Sequence, residues 1–99
     1  MTTTVESKNG RLIIKKDGHL VSDKGGYIDG STNNRFIVAL SNSGRAELLR
    51  LDGRFIKDFA GKSTGVKISS DDIVSIRMED GREETRNVRS LYKDRKSVV

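Results

Sequence analysis

Arg11-Leu12-Ile13-Ile14-Lys15-Lys16-Asp17-Gly18-His19-Leu20-Val21-Ser22 decides how this chain is read. An aliphatic run of strand length meets an Asp-Gly pair, and a second apolar run follows at once. Branched side chains fit a pleated strand, and glycine reaches positive φ at no steric cost, so the stretch reads as a β-hairpin with a tight turn. The same pattern recurs. Arg45 to Leu51 and Arg54 to Phe59 flank Asp52-Gly53, and Ile73 to Met78 runs into Asp80-Gly81 before Arg82 to Thr85 returns. Strands joined by tight turns are antiparallel neighbours.

Outward from the first hairpin, Met1 to Gly10 is polar and rich in threonine and serine, and is expected to be a flexible leader. Tyr27-Ile28 leads into Asp29-Gly30-Ser31-Thr32-Asn33-Asn34, the longest run of turn-forming residues, expected as a loop. Arg35 to Leu40 reads as a buried strand, with Ser41 to Gly44 as its turn. Ala60 to Gly65 reads as loop. Ile73 to Met78 carries apolar residues at 74, 76 and 78, the spacing of a half-buried strand.

Two segments support a second reading. Leu48, Leu51, Phe55 and Phe59 fall at helical spacing, but Asp52-Gly53 interrupts them, and an interior glycine costs a helix about 1 kcal/mol. A hairpin is favoured. Near the C-terminus, Asp80 and Glu83 have capping-box spacing, and Val88, Leu91 and Tyr92 stand i, i+3, i+4. A strand followed by a short helix or irregular tail accommodates both signals. The expected fold is mainly β, a small antiparallel β-barrel or curved meander with the strand rhythm of SH3-like and Sm-like barrels. Its expected organisation is a leader over residues 1–10, one β domain over 11–92 and a basic tail over 93–99.

Composition narrows the chemistry. The 99 residues include neither cysteine, proline nor tryptophan, so disulfides, thiolate nucleophiles and cysteine-ligated zinc are excluded. Apolar and charged residues each make up 33%, and mean hydropathy is −0.56. Phe36-Ile37-Val38-Ala39-Leu40 is far shorter than the about 20 residues that span a bilayer. The start Met1-Thr2-Thr3-Thr4 lacks the basic-then-apolar pattern of a secretory signal, so a cytoplasmic setting without a membrane partner is expected.

Catalytic material is sparse, and no enzymatic activity, cofactor or metal is expected. His19 is the single histidine, beside a turn, and no nucleophile motif surrounds a serine. Asp71-Asp72 and Glu83-Glu84 are adjacent pairs, and neighbours along a strand face opposite ways rather than flanking one cleft. Gly61-Lys62-Ser63-Thr64 resembles the end of a phosphate-binding loop, but Ile56 stands where that pattern needs glycine.

Charge is the remaining signal. The net charge is +5 with a pI near 9.7. The excess gathers after residue 85, in Arg86, Arg89, Lys93, Arg95 and Lys96 with Tyr92 among them. Lysine and arginine neutralise phosphates and release counterions, so these residues, with Lys15, Lys16 and Lys62, are the candidate nucleic-acid contacts. Phe36, Phe55 and Phe59 are expected in the core, and Tyr27 and Tyr92 on the surface as stacking platforms. Acids between Asp71 and Glu84 count against this reading. The alternative is a protein-binding adaptor or inhibitor, or a homo-oligomeric subunit, acting through exposed strand edges.

Overall fold

The computed structural model describes residues 2–89, which form ten antiparallel strands. They are β1 (Thr3–Lys8), β2 (Arg11–Lys16), β3 (His19–Gly25), β4 (Tyr27–Thr32), β5 (Ile37–Ser41), β6 (Ala46–Leu49), β7 (Phe55–Ala60), β8 (Ser63–Ile68), β9 (Ile73–Met78) and β10 (Glu83–Asn87). Strands neighbouring in sequence pair into three sheets, β1-β2-β3, β4-β5-β6-β7 and β10-β9-β8.

The sheets stack as three layers, because the central sheet is apolar on both faces. All five residues of β5 are buried. Successive strand residues point to opposite faces, so β5 feeds two cores. Ile37 and Ala39 pack with Leu49, Tyr27 and, from the first sheet, Leu12 and Ile14. Val38 and Leu40 pack with Ala46, Leu48, Ile56 and, from the third sheet, Val66, Ile68, Val74 and Ile76. Val88, just past β10, closes this second core.

The expected mainly β, antiparallel fold is present, and among the described residues no closed barrel is found. A barrel has a single interior, whereas a sheet apolar on both faces must be covered twice.

All three layers meet at the free edge of β4. The Val66 amide donates to Asp29 Oδ2 and the Ile68 amide to Ser31 Oγ, both at 3.3 Å. From the first sheet, Ser7 Oγ donates to the Ile28 carbonyl at 3.2 Å, and the Thr3 amide donates to Asn34 Oδ1 at 2.6 Å. Side chains of β1 and β4 and the Asn34 amide thus satisfy backbone groups that an ordinary ladder would have paired.

Turns also bond to one another across layers. At one end of the molecule, the Gly26 amide donates to the Gly10 carbonyl and Asn42 to Gly26. Ser63 donates to Gly44 and Glu79 to Lys62, so this belt runs from the first sheet to the third. At the other end, Asn33 Nδ2 donates to the Ser69 carbonyl and to Asp72 Oδ1, and the Val88 amide donates to the Asp72 carbonyl. Lys24 Nζ reaches the Gly53 carbonyl at 2.9 Å.

Several expectations need correction. The supposed leader contains β1, which pairs with β2 along its whole length, from Thr3↔Lys16 to Lys8↔Arg11. Its polar sequence suits an edge strand whose one apolar residue, Val5, packs on the first core. Asp29 to Thr32 is strand rather than loop, leaving Asn33 and Asn34 in the turn. Ser63 to Gly65 likewise belongs to β8, and Gly61-Lys62 alone makes the turn.

The hairpin over 45–59 and the return after Asp80-Gly81 are present. The helix or irregular tail expected around Leu91 and Tyr92, and the basic tail over 93–99, lie outside the described residues. No helix among the described residues is long and apolar enough to cross a membrane.

Candidate nucleic-acid interface

In an up-and-down meander, turns alternate between two ends. The connections after β1, β3, β5, β7 and β9 form one end, sealed by the belt from Gly10 to Glu79. Those after β2, β4 and β8 form the other, where β10 also finishes, whereas the turn after β6 folds against β3, with Gly53 beside Ser22 and its carbonyl on Lys24. Parity decides which cations can act together.

Lys15 and Lys16 close β2 at the second end, opposite Leu20 and His19 of β3. Both are exposed, and neither side chain has a polar partner among the described residues. Arg89 follows β10 at the same end and is exposed; its amide donates to Asn87 Oδ1 at 2.9 Å. Lys62 sits at the opposite end, in a left-handed conformation (φ 52°) with its carbonyl in the belt.

Arg86 lies within β10 and is half-buried. Its guanidinium donates to Glu84 Oε1 at 2.7 Å and to the Thr85 carbonyl at 3.0 Å, so its charge is already engaged. Tyr92, Lys93, Arg95 and Lys96 lie outside the described residues. The structure therefore brings Lys15, Lys16 and Arg89 to one end and separates Lys62 from them.

Other turns hold cations that the linear reading passed over. Arg50 and Arg54 flank Asp52-Gly53, and Arg35 follows the Asn33-Asn34 turn. Arg50 is exposed, with no polar partner for its side chain among the described residues. Arg54 is 81% exposed and only loosely held by Asp52 at 3.6 Å. The signal that could have found Arg50 and Arg54 is their place beside the Asp52-Gly53 turn.

Acids at these turns are largely committed. Asp17 Oδ1 accepts the Thr2 amide at 2.8 Å, and Asp52 Oδ1 the Arg54 amide at 3.0 Å. Asp72 accepts Asn33 Nδ2 at 2.7 Å and Arg35 Nε at 3.0 Å, while Arg35 also donates to the Ser70 carbonyl. Desolvation pushes the Asp72 carboxyl up, but the Asn33 and Arg35 donors and the charges of Arg35 and Arg89 outweigh it and hold it below the usual 3.8. Asp71 stays exposed and unpaired among the described residues.

The aromatics are placed differently from expectation. Tyr27 is buried, not a surface platform. Its hydroxyl donates to Glu47 Oε1 at 2.6 Å, and Lys24 Nζ stands 5.7 Å from its ring centroid. Burial, then the Glu47 carboxylate, pushes the phenol well up. Phe55 is 54% exposed rather than in the core, whereas Phe36 and Phe59 pack against the second core. His19 is exposed at the start of β3, and no group of three or more metal-ligating side chains occurs among the described residues.

No protein-family model and no curated protein matches this chain.

Proposed function

We propose that this domain is a non-catalytic binding module that holds nucleic-acid phosphates at the end carrying Lys15, Lys16 and Arg89. The observation that carries this reading is the exposure of Lys15 and Lys16 side by side at the end of β2, without intramolecular ion pairs among the described residues. Surface cations left unpaired bring their full charge to an anionic partner.

Binding of labelled single- and double-stranded DNA and RNA at two salt concentrations tests the reading. The logarithm of affinity should fall with the logarithm of salt by about 0.7–0.9 per phosphate neutralised. Absence of binding at low salt would remove the proposal.

A second reading, a protein-binding or self-associating module, is favoured by a different observation. Leu20 (63% exposed) and Val21 lie on β3, Phe55 lies on β7, and each strand ends its sheet. Unpaired strand edges carrying apolar side chains are templates for another strand. Light scattering on the same samples separates the two: a salt-insensitive dimer or larger assembly supports the second reading.

A further inference from the structure

The outer face of the third sheet carries a groove of about 290 Å³ that the phosphate reading does not use, lined by Asp29, Gly65, Lys67, Ser75, Arg77 and Glu83 among others. The ladder sets these residues in two rows. Gly65, Arg77 and Glu83 are cross-strand partners in one row, and Lys67, Ser75 and Thr85 in the next. Cross-strand partners share a face, with Cβ atoms about 4.5–5.5 Å apart.

Opposite charges at that spacing commonly pair. Among the described residues Arg77 and Glu83 form no ion pair, and Lys67 has none either, although on the same strand Glu84 is bridged by both Arg82 and Arg86. Gly65 leaves the floor open: a Cβ there would meet only Arg77 Cβ at 3.8 Å and Asp29 Oδ2 at 3.9 Å. Asp29 accepts the Gly30 and Val66 amides, which fix its carboxylate in the groove wall and leave it acceptor capacity.

Two cations and two carboxylates therefore surround an open glycine floor with no net charge. A polyanion would meet Asp29 and Glu83 and be repelled, and a simple cation would meet Lys67 and Arg77. From this arrangement we infer that the groove binds a small zwitterion of the α-amino-acid type. The ligand carboxylate lies on Arg77 and Lys67, with Ser75 as a further donor. The ligand ammonium lies between Glu83 and Asp29. The short charge separation of an α-amino acid matches neighbouring cross-strand heads, and the volume is at the lower end of small-molecule sites. This inference is independent of the phosphate reading, since it uses another face and other residues.

The test is titration of the isotope-labelled full chain with L-alanine, followed by amide chemical shifts, with acetate, methylammonium and inorganic phosphate as separate probes. Saturable shifts at Gly65, Lys67, Ser75 and Arg77 are expected, with L-alanine at least tenfold tighter than any other probe. Glu83→Gln should weaken L-alanine tenfold or more. Gly65→Ala, whose new methyl meets only ordinary contacts, should keep the spectrum of the fold and weaken binding about fivefold. No saturable shift, acetate or phosphate binding as well as L-alanine, or unchanged affinity in both variants would each overturn the inference.

Discussion

At Gly30 the backbone of β4 lies so close to the first sheet that a Cβ would stand 2.5 Å from Leu12 Cδ1 and 2.8 Å from Val5 Cγ1. Its φ is not left-handed, so room, not backbone freedom, demands glycine. Gly30→Ala should cost about 1–3 kcal/mol by overpacking, whereas Gly61→Ala, with open space around it, should change stability by less than about 0.5 kcal/mol. Thermal unfolding of the two variants checks this. Asp72 supplies a pH-dependent term. Its carboxyl is held below 3.8 in the fold, so its contribution is present above the unfolded value and is lost as pH falls through the folded one. Asp72→Asn keeps a residue type that tolerates its left-handed backbone (φ 62°). The variant should melt below the wild type at neutral pH, and the gap should shrink as pH falls below the ordinary carboxylate value of about 4.

Strands were legible wherever apolar residues alternated or ran together beside Asp-Gly, as in β2, β3, β5, β6, β7 and β9. They were illegible where tertiary contacts outweighed local chemistry. The glycine that made residues 29–34 look like a loop is required by the packing of β4 against Leu12, and Asp29 and Ser31 are polar because they accept amides from β8. Phe55 defeated the period-two argument for another reason. The β6–β7 register runs Leu49↔Phe55, Leu48↔Lys57, Glu47↔Asp58 and Ala46↔Ala60, so Ile56 and Phe59 are bulged and side-chain parity is reset twice. Deleting Thr3–Lys8 separates strand from leader. As the edge of the first sheet β1 covers part of the Leu12 and Ile14 core, so its loss should abolish cooperative unfolding or lower its midpoint by more than about 10 °C, the shift expected for a few kcal/mol. An unchanged melt would return these residues to the status of a leader.

For the molecule as a whole, charge was readable as a sum but not as a distribution. The sequence gathered Arg86 and Arg89 with the tail, while folding engages Arg86 with Glu84 and leaves Lys15 and Lys16 exposed without an ion pair among the described residues. Replacing Lys15, Lys16 and Arg89 together by glutamine should lower the salt slope of nucleic-acid binding by about two to three units, and Lys62→Gln should leave it unchanged. Filter binding across a salt series measures both. The belt of turn-to-turn bonds from Gly10 to Glu79 has a different consequence. Each belt turn has its backbone anchored to a turn in the next hairpin, so lengthening one displaces its neighbour. Beyond the belt, among the described residues Asp80-Gly81 is held only within its own hairpin, by Gly81 to Met78 and Met78 to Arg82 bonds and by Arg82 on the Asp80 carboxylate. A foreign peptide spliced between Asp80 and Gly81 would hang from a single hairpin, making this tip the natural port for a graft at an end otherwise closed to insertion.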